Sequence, residues 1–137
     1  RQFVEQHDCS GLTHVYNQRH PKTMTSAPRP SDSLSFPCGL TLANRLMLAP
    51  MTNCQSHADG SLSDDEYRWL TMRAKGGFGL TMTCASHVQK VGQGFPGQLG
   101  IFSEQHIEGH QRLAQGIHAH GSLAIIQLVK NWTSKTE

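Results

Sequence analysis

The run Asn44-Arg45-Leu46-Met47-Leu48-Ala49-Pro50-Met51-Thr52 constrains this chain more than any other stretch. It is apolar, of strand length, and ends abruptly in a proline and a hydroxyl residue. Two further strand-like runs follow, Leu80 to Ala85 and Leu123 to Leu128, each separated from the one before by a helical pattern. Strand, helix, strand, helix, strand is the order of a parallel α/β fold. Parallel neighbours need crossovers of a dozen or more residues, and the spacing here supplies them. In such folds, residues at the carboxyl ends of the strands line the ligand site. Thr52, Ala85 and Gln127 stand near those ends and are the first candidates.

The first main strand is expected over about Arg45 to Pro50. Ahead of it, Leu34-Ser35-Phe36, Pro37-Cys38-Gly39 and Leu40-Thr41-Leu42 read as a short hairpin turning at the Pro and Gly. A loop with Asp59-Gly60 leads to Ser63-Asp64-Asp65-Glu66, the pattern of a capping box in which Ser63 caps and Glu66 reaches back. The two aspartates favour the positive helix end. A helix is predicted over Asp64 to Lys75, with Tyr67, Leu70 and Ala74 on one buried face. Gly76-Gly77 stops it. The second strand, about Leu80 to Cys84, opens into a loop holding Gly92, Gly94, Gly97 and Gly100. Ser103 is expected to cap a helix over Glu104 to His120, with Ile107, Leu113, Ala114 and Ile117 facing inward. Gly121 ends it, and the third strand begins at Leu123.

A chain of 137 residues is long enough for one domain with a core. With 36% hydrophobic residues, 16% charged residues and a net charge of +2, it has no basic field to argue for nucleic acid. No stretch approaches the roughly 18 apolar residues of a membrane span, and no apolar signal region opens the sequence. Cys9, Cys38, Cys54 and Cys84 lie far apart with no C-x-x-C spacing. That argues against a disulfide framework or zinc knuckle and for a reduced, cytoplasmic protein. Residues 1–33 are polar and lack an apolar period, as a disordered or non-native leader would be. Met24 is the expected native start, with upstream translated or appended sequence before it.

Several blocks together resemble the Old Yellow Enzyme family of FMN-dependent NAD(P)H oxidoreductases and ene-reductases. They are N-R-L-M-L-A-P-M-T at 44–52, S-D-D-E-Y-R-W-L-T-M-R-A-K-G-G-F-G-L at 63–80 and T-C-A-S-H-V at 83–88. G-Q-G-F-P-G-Q-L-G-I-F at 92–102 and H-A-H-G-S-L-A-I-I-Q-L at 118–128 complete the set. The resemblance covers about Leu34 to Leu128 and implies the first three strands and two helices of a (β/α)8 TIM barrel, a fold of about 250 residues. After Gln127-Leu128 the family continues with a His and a Gly-containing turn, whereas here Val129 to Glu137 follow. Residues 129–137 are therefore expected to be a non-homologous tail from a retained intron, a frameshift or a gene-model error.

The family reduces FMN with NAD(P)H and passes hydride from flavin N5 to an activated alkene or similar small-molecule acceptor. By resemblance, Ala49, Pro50, Met51, Thr52, Ala85 and Gln127 match its FMN-contacting positions on the first three strands. Their chemistry suits an isoalloxazine ring, which needs a donor for each carbonyl and small residues where the ring lies flat. Thr52 could donate to the flavin C4 carbonyl, Gln127 has a donor and an acceptor on one amide, and Ala85 is small. The family's substrate-binding pair, tyrosine proton donor and phosphate site all lie on later strands, so no catalytic residue is assigned here. The alternative is a catalytically inactive truncated product that acts only as an interaction partner or is degraded.

Three other patterns are set aside. G-Q-G-F-P-G is nearly a dinucleotide fingerprint, but Pro96 occupies the turn and the helix starts too late to meet a pyrophosphate. His106, His110, His118 and His120 invite a metal, yet Glu108 does not complete H-E-x-x-H, and they are expected to be solvated helix histidines. Cys54 reads as an inert loop thiol.

Overall fold

The computed structural model describes residues 27–130. The expected start at Met24 and most of the expected leader and tail lie outside them. Strands β1 (Leu34–Ser35) and β2 (Thr41–Leu42) pair antiparallel as the hairpin, closed by Phe36 N–H to the Leu40 carbonyl at 2.8 Å. Gly39 takes the left-handed conformation of that turn, φ 86°.

Three strands form a parallel sheet in the order β3 (Met47–Leu48), β4 (Leu80–His87) and β5 (Leu123–Val129). Helices α1 (Asp64–Lys75) and α2 (Ile107–His118) make the crossovers. The start of the sheet is fixed by one side chain. Asn44 Oδ1 accepts from the amides of Leu46 and Gly79, each at 3.0 Å, and Asn44 Nδ2 donates to the Gly77 carbonyl at 2.7 Å. Gly79 is needed there, since a Cβ would stand 2.8 Å from the Asn44 carbonyl oxygen.

α1 keeps the bounds its pattern predicts. Ser63 Oγ accepts from the Glu66 amide at 3.1 Å, Asp64 and Asp65 sit in the positive first turn, and Arg73 and Lys75 in the last. Leu70, Ala74, Leu113 and Ile117 interlock with Leu48 as the core, and Leu62, Tyr67, Trp69, Phe78 and Ala124 pack around it. Gly116 permits the close helix approach, because a Cβ would lie 2.6 Å from the Tyr67 hydroxyl. Arg112 lies over the Tyr67 ring at 4.2 Å and pairs with Asp64 at 2.7 Å, joining the two helices at the surface.

Three boundaries and the facing of one residue differ from expectation. β3 is shorter, because only Met47 and Leu48 find partners on β4 and Pro50 has no N–H to extend the ladder. β4 is longer, continuing through the buried polar residues Ser86 and His87. The helix expected from Glu104 begins with a 3-10 turn, Glu104–His106, because the Ser103 hydroxyl meets His106 Nδ1 at 3.1 Å and caps no amide. Ile107 is exposed rather than inward. It stands six positions before Leu113, about 120° away around a helix of 3.6 residues per turn.

Candidate functional site at the strand ends

In a parallel sheet all carboxyl ends lie at one edge, and here that edge gathers the predicted residues. Ala49, Pro50, Met51 and Thr52 leave β3, while Ala85 and Gln127 face each other as a ladder pair of β4 and β5. Ala85, Gln127 and Pro50 are half-buried, and Ala49, Met51 and Thr52 are exposed. Neither the Thr52 hydroxyl nor the Gln127 carboxamide bonds to another described residue; only the Gln127 main-chain N–H is engaged, with Thr83 Oγ1 at 3.3 Å. Two polar side chains unengaged by other described residues therefore stand at this edge together with a small residue.

Behind this edge lies a buried polar group that sequence reasoning assigned elsewhere. Glu66 contributes its amide to the Ser63 cap, but its side chain does not reach back; it turns inward and is fully buried. There its carboxyl oxygens accept from the Ser56 hydroxyl and the Cys84 thiol. One carboxyl group therefore ties the loop after β3 to α1 and to β4, one residue before Ala85. Burial, and then the neighbouring Glu66 carboxyl, push the Cys84 thiol far above the ordinary thiol range, so it stays protonated and unreactive.

The glycine-rich stretch folds over the same edge. Gly97 has φ 77° and rests against the Cys54 carbonyl, with no room for a Cβ, and its own carbonyl accepts from the Ser56 amide at 3.0 Å. Gln98, 1% exposed, donates from Nε2 to the Ala85 carbonyl at 2.9 Å and accepts from the Gly94 amide at 2.7 Å. A 3-10 turn, Lys90–Gly92, ends at the first of these glycines, and the next helical turn, Glu104–His106, begins after the last, so no α-helix starts directly from the G-Q-G-F-P-G run.

The expected solvated histidines divide. His118 and His120 are exposed, but His106 is buried and His110 half-buried. His110 Nε2 contacts the Gly100 carbonyl at 2.9 Å, His106 Nε2 the Asp59 carbonyl at 3.2 Å, and the Phe102 ring lies between His87 and His106. Loop packing has buried these rings, which a helical pattern alone does not reveal. Burial lowers the tendency of His110 to take a proton. Among the described residues, no group of three or more His, Cys, Asp or Glu is arranged to hold a metal ion, and no helix is long and apolar enough to cross a membrane.

A parallel α/β sheet with polar side chains left open at its carboxyl edge is the arrangement in which α/β barrel enzymes carry their ligand sites. Comparison with known proteins narrows it. The NADH:flavin oxidoreductase / NADH oxidase family matches residues 38–134, and the chain belongs to that family, whose cofactor is FMN with NAD(P)H as reductant. The probable NADH-dependent flavin oxidoreductase YqiG of Bacillus subtilis (strain 168) is 36% identical over 97 residues, which cover 71% of this chain and 26% of that protein. An NADPH dehydrogenase of Bacillus pumilus is 40% identical over 91 residues, 66% of this chain and 27% of its own. Among solved structures, the old yellow enzyme homologue from Zymomonas mobilis superposes with a TM-score of 0.67 at 28% identity, over 74% of this chain and 28% of that one. A 2-naphthoyl-CoA reductase complex gives a TM-score of 0.71 at 28% identity over 74% of this chain and 15% of its own. The fold is thus the first part of a (β/α)8 barrel, and the chain spans between 10% and 33% of the length of such relatives.

Proposed function

We propose that residues 34–128 supply the ring-binding part of an FMN site in an oxidoreductase that takes hydride from NAD(P)H and delivers it to an activated alkene or similar small molecule. The observation that carries this reading is the convergence of Thr52, Ala85 and Gln127 at one edge, with both polar side chains unengaged by the described residues. When bound, FMN supplies the hydride-transfer chemistry. The chain's own part is to hold and tune the ring. Thr52 would donate its hydroxyl to the C4 carbonyl, Gln127 would offer a donor and an acceptor to a neighbouring carbonyl and N–H, and Ala85 would let the ring lie close to the strand. Ala49, Pro50 and Met51 border the ring from β3.

The reading is tested by purifying the complete polypeptide that carries these residues. It should be yellow, release FMN on denaturation, and bleach anaerobically with NADH or NADPH. A protein that takes up no flavin when FMN is supplied, or whose flavin neither nucleotide reduces, contradicts it. The 137 residues alone are expected to bind FMN weakly and to be inactive, because barrel phosphate sites follow strands 7 and 8. Charge-assisted phosphate contacts contribute about 1.5–3 kcal/mol each.

A further inference from the structure

The pairing of Ala85 with Gln127 depends on an irregularity in β4. The ladder runs Leu80↔Leu123, Thr81↔Ala124 and Met82↔Ile125, then resumes at Ala85↔Gln127, Ser86↔Leu128 and His87↔Val129. Two residues of β4, Thr83 and Cys84, therefore oppose the single residue Ile126, which is a β-bulge. Both bulge side chains turn toward the helices. Thr83 lines a cavity with Leu113 and Ile117 of α2, and Cys84 bonds Glu66 of α1. Ala124 and Ile126 of β5 line that same cavity, so alternation places Gln127 on the opposite face. In an unbulged strand Ala85 would share the helix-facing side of Thr83, two residues earlier, and would stand beside Leu128. The extra residue is what turns Ala85 to the face of Gln127.

We propose that Thr83 and Gln98 are positioning residues that hold this bulge, and through it set Ala85 beside Gln127 in the flavin-ring site; the proposal rests on the flavin reading above. Thr83 Oγ1 accepts from the Gln127 N–H at 3.3 Å and donates to the Cys84 carbonyl at 2.8 Å, taking the place of a missing ladder bond. Gln98 then clamps the first carbonyl after the bulge, that of Ala85, to the Gly94 amide of the overlying loop. Its amide is buried with one donor and its acceptor both used, so an apolar replacement leaves a carbonyl and an N–H without partners.

The test uses Thr83→Val, Thr83→Ser and Gln98→Met in the complete polypeptide, read by residue-resolved amide exchange and by the visible spectrum and Kd of added FMN. Thr83→Val should speed exchange at Gln127 about tenfold, the equivalent of one hydrogen bond, and leave Ala124 unchanged. Gln98→Met should do the same at Gly94. Both should shift the bound-flavin band and weaken FMN binding about tenfold, while Thr83→Ser, which keeps the hydroxyl, behaves as the parent. If Thr83→Val fails to fold, Gln98→Met decides alone. Acceleration spread evenly along β5, Thr83→Ser matching Thr83→Val, or an unshifted flavin band overturns the proposal. A parent protein that binds no FMN defeats the flavin reading instead, and the exchange pattern then decides the bulge clamp by itself.

Discussion

At the scale of single residues, the side chains most informative about this molecule are polar and buried. Glu66 was legible as a helix cap because S-x-x-E spacing is local, and its amide does bond Ser63. Its carboxyl was not legible, because its partners Ser56 and Cys84 are brought to it only by the loop after β3 and by β4. The positions of Thr52, Ala85 and Gln127 near the strand ends were readable because each stands at or near the close of an apolar run. Gln98 was not, since it sits in a loop with no period and works through a carbonyl. Glu66→Ala should cost about 3 kcal/mol, because it opens a cavity and strands a buried hydroxyl and thiol. Glu66→Gln keeps the volume and an acceptor and should cost about 1 kcal/mol. Chemical denaturation of the two variants checks the order, and equal losses would show that the inward contacts contribute little.

At the scale of elements, helix α1 agrees with its approximate sequence bounds because cap, charges and stop all point the same way. α2 was less legible: its expected inner residue Ile107 is exposed, and His110 docks on the loop that folds over the strand ends. That docking should depend on pH. Burial holds the proton affinity of His110 below its ordinary value of 6.5, with His106 opposing the charge and Glu66 favouring it. The unfolded chain therefore binds the proton more readily, and stability rises with pH in that interval. The contribution is complete above about 6.5 and is lost as pH falls through the lower folded value. Thermal melts from neutral to mildly acidic pH should show the decline, and His110→Gln, which can still donate to the Gly100 carbonyl, should flatten it. An identical slope in the variant would locate the effect elsewhere.

At the scale of the whole molecule, the sheet is an open piece of a closed architecture. Among the described residues β3 and β5 each have one neighbour, so each leaves a free edge of N–H and C=O groups. Leu46, Met47, Ile125, Ile126 and Leu128 are exposed on or beside these strands. The 137 residues alone should therefore self-associate or form a dye-binding, loosely packed state; a sharp two-state melt of a sedimentation-verified monomer would contradict this. If the strand ends hold a flavin ring, Thr52 is the side chain whose loss the flavin itself would report. In the complete polypeptide, Thr52→Val should shift the flavin reduction potential and change the reductive and oxidative half-reactions unequally, since a hydrogen bond to the C4 carbonyl stabilises reduced flavin. Anaerobic potentiometry with both half-reactions followed by stopped flow gives the answer: a shifted potential with unequal rates is the expected result, and an unchanged potential with equal rates removes Thr52 from the site.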